Sequence, residues 1–448
     1  MSDPFLAYDI RGIYGRTITE EFVEKVGKAI GSIFNGDGLL TVGYDVRYSS
    51  PSLEKRVNEG ILSTGCDVLS IGKVPGPVAY FYTINSKSDA GVYITASHNP
   101  PEYNGIKFIR NNGTSFTHEL ITIKKLVNSN KYIKKTKGTK KKIDNSITLY
   151  KKYLEKKVKK INNLVIAIDS LHGSVGLLPH SFFLDFGISI EKAFNLQPLG
   201  DFGGAQPEPT PERLKKLISE VVKKKLDFGV AFDGDGDRAV FVDNKGKVLN
   251  GGVVSSLFIE DFLKNSHKQE SVIASIDLPS NVIKSVKKYN GNLIWSKVGH
   301  TYIEEKMIKE GAIFGGEQSS HYYFGEIYPF SDGILATLLL SAILSRESMK
   351  LSTLVDSLKI NPTNKIYIKF SSHNKTNEVI SKIKDIFLKE YTNVDTTDGI
   401  KVYLNDIEWV LIRASNTMPA INLSIEAKNI NNLKKIQNKY EEIIKGYQ

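Results

Sequence analysis

Short apolar runs recur along this chain, and each leads straight into a loop of glycines, prolines and polar residues. Leu39–Tyr44, Ala90–Ile94, Leu164–Asp169, Leu226–Phe232 and Val272–Ile276 are the clearest. Runs this short and continuous read as buried strands. Helical patterns lie between them. Thr19 is a good N-cap for one whose apolar face is Phe22, Val23, Val26, Ile30 and Ile33, and Gly36-Asp37-Gly38 stops it. Alternating strand and helix specify an α/β fold. In such sheets ligands bind on loops just past the strand ends.

A chain of 448 residues exceeds a single core. The pattern divides it into four domains at 1–150, 151–250, 251–360 and 361–448. The first three share a βα style. The last is shorter, with strands at Ile366–Phe370, Lys401–Leu404 and Trp409–Ile412 beside helical patterns at 377–388 and 431–444. A linker over 345–364 precedes it. The formal charge of +11 comes mostly from lysines, concentrated at 134–142 and 151–160. Few aromatics interleave them, so a solvated surface is expected rather than a stacking platform for nucleic acid. No run approaches a membrane span, and Met1-Ser2-Asp3-Pro4 has no signal pattern. The single cysteine, Cys66, fits a buried inert thiol and a cytoplasmic protein.

Four strand-end loops carry the chemistry. Ala90–Ile94 runs into Thr95-Ala96-Ser97-His98-Asn99-Pro100-Pro101, which cannot continue a strand. Ser97, beside His98 and ahead of Lys107, is a candidate nucleophile; the alternative is a polar turn. Asp233-Gly234-Asp235-Gly236-Asp237-Arg238 follows another strand, and its three carboxylates can converge on one hard cation. An EF-hand fails here, because its sixth position is Arg238 and its twelfth is Asn244, and a polar hairpin turn without metal is the other reading. Arg238 would point its guanidinium at the same centre. Glu317, Ser319 and His321 alternate, so on extended backbone they share one face suited to a hydroxyl-rich ligand; the alternative is a strand with a polar edge. Arg413-Ala414-Ser415-Asn416-Thr417 reads as a phosphate clamp or a simple turn. Near the start, Arg11 either contacts a phosphate or pairs with Asp9.

Together these motifs resemble the α-D-phosphohexomutase superfamily, most closely its phosphomannomutase/phosphoglucomutase group, from Tyr8-Asp9-Ile10-Arg11-Gly12 to the Arg413 loop. The resemblance implies three α/β domains with mixed sheets and a smaller α+β C-terminal domain around a central cleft. It implies an isomerase moving a phosphoryl group between the 1- and 6-positions of hexose phosphates, through a phosphoserine and a hexose 1,6-bisphosphate. Ser97 would be the phosphoryl carrier, and Asp233, Asp235 and Asp237 would hold Mg²⁺ together with the serine phosphate. Tyr8, Arg11, His300, Glu317, Ser319, His321, Arg413, Ser415, Asn416 and Thr417 would contact substrate. His98, Lys107, Arg238 and His321 would assist the chemistry, with Lys107 and His321 moving protons and Lys107 needing a depressed pKa. Ser320 stands where this family usually has glycine. The Arg-Ala-Ser-Asn-Thr form favours hexose mutases over phosphoglucosamine mutases, which remain an alternative beside a metal-dependent phosphatase. A non-catalytic sugar-phosphate or nucleic-acid binder is a further rival, disfavoured by the complete set of motifs. The expected partners are small sugar phosphates, with neither nucleic acid nor membrane; the oligomeric state is not legible.

Overall fold

The strand Ala90–Ile94 is buried along its whole length because it lies inside a six-stranded sheet. The order is Ile10–Ile13, Tyr103–Arg110, Ala90–Ile94, Leu39–Tyr44, Asp67–Lys73 and Lys140–Lys142. The last four are parallel and the first two antiparallel to their neighbours, so the sheet is mixed. The structure, a computed structural model, describes residues 3–6, 8–415 and 418–448. It divides into two compact units, Met1–Asn250 with Ser319–Thr353 and Gly251–Gln318 with Leu354–Gln448.

In the first unit, helices Glu20–Ile33 and Ser50–Ser63 share one core with the sheet through Val23, Val26, Ile30, Leu53, Val57 and Ile61. Thr19 caps the first helix by accepting from the Phe22 amide, as its sequence predicts. The two helices meet at glycines: a Cβ on Gly27 would lie 2.3 Å from the Val57 carbonyl oxygen. A second sheet, ordered Ala239–Asp243, Phe228–Phe232, Leu164–Asp169 and Ile188–Phe194, is also mixed. The hairpin of Tyr322–Phe324 with Tyr328–Ser331 and the helix Gly333–Glu347 complete this unit.

Local expectations fail in two places. Pro207-Glu208-Pro209-Thr210-Pro211 predicts a helix whose first turn holds Glu212, but the helix begins at Lys215 and Glu212 is outside it. Amides of Arg213 and Leu214 bond the Thr210 carbonyl and close a separate turn first. The stretch 345–364 is no plain linker either. It holds the end of one helix, the helix Leu351–Ser357 and the start of the strand Thr363–Lys369.

In the second unit, Asn292–Ser296, Ser271–Ser275 and Phe314–Gly316 pair in parallel. A five-stranded antiparallel sheet follows, ordered Thr363–Lys369, Ala420–Glu426, Trp409–Ala414, Ile400–Tyr403 and Val394–Asp395. Helices His373–Glu390 and Ile430–Lys445 share its core through Val379, Ile383, Phe387, Leu433, Tyr440 and Ile444. This is the α+β C-terminal domain. Among the described residues no helix is long and apolar enough to cross a membrane.

Lys401 in this sheet is buried and donates to the Ile276 carbonyl at 2.8 Å. Its ammonium nitrogen lies 3.9 Å from the Trp409 ring centroid, 4.9 Å from Trp295 and 5.3 Å from Tyr403. Burial draws its pKa down to about 7, while Glu426, Asp277 and Asp395 pull the other way. Above pH 7 the unfolded chain therefore keeps a proton that the folded lysine has released, up to the ordinary lysine value of 10.5. The contribution of Lys401 to stability therefore rises with pH across that window and is lowest below it. Urea unfolding midpoints of wild type and Lys401→Met, taken from about pH 7 to about pH 9.5, should diverge: the variant loses this part of the slope. Parallel curves would refute it.

Candidate active site

Beyond the buried strand Ala90–Ile94, the chain turns at Ser97, which has φ of +48°. A residue with a Cβ adopts that conformation at a cost, so surrounding bonds must hold it there. Ser97 donates its backbone N–H to Thr95 Oγ1 at 2.9 Å, and Thr95 in turn donates to Asp45 at 2.8 Å. The Ser97 hydroxyl donates to Asp233 Oδ2 at 2.9 Å and lies 3.4 Å from His98 Nδ1.

The aspartate loop extends from the equally buried strand Phe228–Phe232. Its backbone is anchored by neighbouring loops: Gly76 N–H donates to the Asp235 carbonyl at 2.8 Å and Ser174 N–H to that of Gly234 at 2.9 Å. A Cβ on Gly234 would lie 2.5 Å from the Ser97 carbonyl oxygen, so only glycine lets the two loops touch. Asp233, Asp235 and Asp237 each present an oxygen within 4.8 Å of the others. Burial, then Asp237 and Asp235, push the Asp233 carboxyl well above its usual range. Asp235 Oδ1 is buried without a hydrogen-bond partner. Three hard oxygen donors, mutual repulsion and an unsatisfied buried oxygen fit a hard divalent cation.

Lys107, on the strand Tyr103–Arg110, donates to Asp235 Oδ2 and Asp237 Oδ2, both at 2.8 Å. Burial disfavours its charge, but the two carboxylates outweigh burial and hold its pKa well above the ordinary lysine value. The expected depression is therefore reversed. Asp237 shows the other half of the pair. Burial opposes its ionisation, yet the Lys107 ammonium keeps its pKa well below the carboxylate range.

Arg238 lies 3.8 Å from Asp233, and it donates to His98 Nδ1 at 3.0 Å and to His321 Nε2 at 3.1 Å. Each of those nitrogens is an acceptor and carries no proton in this geometry. Burial, followed by Arg238, pushes His98 well below the ordinary imidazole pKa. His321 Nδ1 faces the Ser319 hydroxyl at 3.0 Å. Glu317, Ser319 and His321 do not share an extended face, because the strand ends at Gly316 and the chain turns. Ser320 takes φ of +66° at that turn, the backbone region for which glycine is suited.

Arg11 lies in the strand Ile10–Ile13. Its Nε donates to Asp9 at 2.7 Å, and its Nη1 donates to Asn99 Oδ1 at 2.7 Å and the Ala96 carbonyl at 3.3 Å. Tyr8 interacts electrostatically with it. In the first unit, then, Ser97, His98, Lys107, Asp233, Asp235, Asp237, Arg238, Ser319 and His321 converge, with Arg11 tied to the serine loop.

The second unit carries the others. His300 opens the helix His300–Glu310, its Nδ1 3.2 Å from Glu304. Arg413 is buried and donates to Asp398 Oδ2 at 2.7 Å, and the same oxygen accepts the Val298 amide at 3.1 Å. Asp398 thus joins the His300 loop to the Arg413 loop. Glu317 is buried, and Ser415 donates its amide to the Ala420 carbonyl at 2.9 Å. Asn416 and Thr417 lie outside the described residues.

Two residues escaped the sequence reading. Asp398 is one, and a Thr-Asp-Gly turn offers little warning of an arginine partner. Arg47 is the other. It bonds backbone carbonyls far along the chain, and the only local signal is an Asp45-Val46-Arg47 loop ahead of a helix.

The phosphoglucomutase/phosphomannomutase family models match this chain in order: alpha/beta/alpha domain I over residues 3–134, domain II over 145–246 and domain III over 250–360. A phosphoglucomutase/phosphomannomutase of Thermococcus kodakarensis is 32% identical over 449 residues, covering 96% of this chain and 95% of that protein. A probable phosphoglucosamine mutase of Methanopyrus kandleri is 30% identical over 440 residues, covering 97% and 96% respectively. The crystal structure of a phosphoglucomutase/phosphomannomutase family protein from Burkholderia thailandensis matches with a TM-score of 0.90 at 27% identity, covering 99% of this chain and 97% of that one. On these matches the chain belongs to the phosphoglucomutase/phosphomannomutase family of α-D-phosphohexomutases, and it is an isomerase of the intramolecular phosphotransferase kind.

Proposed function

We propose that this enzyme interconverts the 1- and 6-phosphates of mannose, glucose or both, with Ser97 as phosphoryl carrier and a hexose 1,6-bisphosphate as intermediate. The observation that carries the reading is the contact of Ser97 with the aspartate loop: its hydroxyl lies 2.9 Å from Asp233. Phosphorylated Ser97 gives its phosphoryl group to the free hydroxyl of a hexose phosphate. The Oγ–P bond breaks as the sugar O–P bond forms, and the hydroxyl proton leaves to a base. The bisphosphate then returns its other phosphoryl group to Ser97, leaving the isomeric monophosphate.

Asp233, Asp235 and Asp237 are the residues to hold Mg²⁺, which when bound supplies charge neutralisation at the transferring group. Arg238 adds a fixed cation beside them and holds His98 and His321 with an acceptor nitrogen toward itself. His321 serves as the proton acceptor through Nε2, once Arg238 gives up that lone pair for an oxygen of the substrate. Lys107, held as an ammonium, serves as a donor rather than a base. Glu317, Ser319, His321 and His300 bind sugar hydroxyls, and Arg413, Ser415, Asn416 and Thr417 hold the non-reacting phosphate. Tyr8 and Arg11 contact substrate beside the serine loop. The lone buried thiol, Cys66, is consistent with a cytoplasmic setting.

Phosphoglucosamine mutase is a second reading, favoured by the Methanopyrus kandleri relative's name. One experiment separates them. Phosphorus NMR follows the purified protein with Mg²⁺, a trace of hexose 1,6-bisphosphate, and mannose, glucose or glucosamine 1-phosphate in turn. Conversion of the mannose or glucose ester supports the proposal, and conversion of glucosamine 1-phosphate alone supports the second reading. Release of inorganic phosphate would make the protein a phosphatase and overturn both.

A further inference from the structure

Arg47 is buried, with its guanidinium 4.8 Å from the Phe202 ring centroid. All its side-chain N–H groups are used. Nη2 donates to the carbonyls of Ser97 and Asn99, both at 2.8 Å, and Nη1 to those of Pro100 at 2.7 Å and Tyr103 at 2.9 Å. Nε donates to Asp45 Oδ2 at 3.2 Å. A guanidinium offers five N–H groups in a planar fork, and here they fasten both ends of one loop. The carbonyls of Ser97, Asn99 and Pro100 belong to a segment that Asn99-Pro100-Pro101 keeps out of the sheet, and Tyr103 is where the chain re-enters it. The loop's strained member, Ser97, is among the bonded carbonyls. Its oxygen is also the atom that Gly234 approaches closely, so fixing it fixes the serine against the aspartate loop.

Asp45 closes the arrangement. Its Oδ2 accepts from Arg47 and from Thr95 Oγ1 at 2.8 Å, and Thr95 receives the Ser97 amide. Its Oδ1 accepts the Arg47 amide at 3.0 Å and the Ser50 hydroxyl at 2.6 Å. The serine is thereby held from its carbonyl side by Arg47 and from its amide side through Thr95, and both lines end on Asp45.

We infer that Arg47 is a positioning residue for phosphoryl transfer: through four backbone carbonyls and Asp45 it holds Ser97 in its left-handed conformation against the aspartate loop. It touches neither substrate nor the reacting atoms, and the inference rests on Ser97 being the phosphoryl carrier. A group of this kind contributes to rate rather than to substrate binding. Misplacing a reactive atom by an ångström costs about 10²-fold in rate.

Arg47→Lys keeps the charge but provides fewer donors in no planar fork. The variant should fold, keep KM for the hexose 1-phosphate within about twofold, and lose about 10²-fold in kcat. Asp45→Asn, nearly isosteric, should show the same split with about a tenfold loss of kcat, and it decides the matter if the lysine variant does not fold. Amide hydrogen exchange over residues 97–103 supplies a readout independent of turnover, and it should quicken at least about tenfold in either variant while the sheet strands stay protected. Full kcat in a folded variant overturns the inference, as does a loss tracking unfolding alone or unchanged exchange in the loop. A wild type that converts no sugar phosphate would sink the functional reading instead, and the loop exchange would still decide whether Arg47 anchors it.

Discussion

Ser97→Ala is expected to abolish interconversion of hexose 1- and 6-phosphates, by at least about 10⁴-fold, while sugar-phosphate binding stays within about threefold of wild type. The oxygen removed is the only atom of the residue that would carry phosphate. The backbone bonds that shape the loop come from Arg47 and Thr95 and do not involve Oγ. Alanine at φ of +48° bears much the same strain as serine, so the loop should keep its form. The lost hydrogen bond to Asp233 is the structural cost. Calorimetric titration with a hexose phosphate, alongside turnover by phosphorus NMR, separates binding from chemistry. Residual turnover above about a tenth of wild type would remove Ser97 from the mechanism.

Asp235→Asn comes next in size. Its Oδ1 lacks a partner and its Oδ2 accepts from Lys107, so the substitution removes one ligand charge and half of the lysine's compensation. Mg²⁺ affinity should fall about 10²-fold and turnover by a similar factor at limiting metal. The metal-free protein carries less mutual repulsion in the variant, which partly offsets the stripped lysine. Wild type should therefore gain melting temperature when Mg²⁺ is added and the variant little, since a ligand that binds only the folded state stabilises it by mass action. Chelation should silence the wild type reversibly. Equal thermal shifts in the two proteins would mean that the aspartates hold no ion.

The serine and aspartate loops were legible because each couples an apolar strand to residues that cannot continue it. Local composition alone therefore puts their polar side chains at a sheet end. Which partners those side chains meet was not legible. Lys107 reads as a lysine inside a strand, and the sign of its pKa shift depends on carboxylates more than a hundred residues away, which neither burial nor spacing along the chain reveals. Arg47 is the same case in sharper form, since backbone carbonyls are its partners and every residue has one. The Glu317–His321 stretch failed for a different reason. Alternating polar side chains suggest a strand only while the backbone stays extended, and Ser320 in the left-handed region breaks that condition. The fourth domain was readable as strands and helices, but the Asp398–Arg413 pair depends on sheet register.

The lysines at 140–142 form an exposed edge strand, and they bound the largest sheet of the first unit. A chain edge with open N–H and C=O groups invites further strands to add on. Here any newcomer would have to settle against a row of ammonium groups, taking up desolvation and like-charge repulsion from a protein that is itself cationic. The lysines on that edge therefore oppose growth of the sheet beyond its sixth strand.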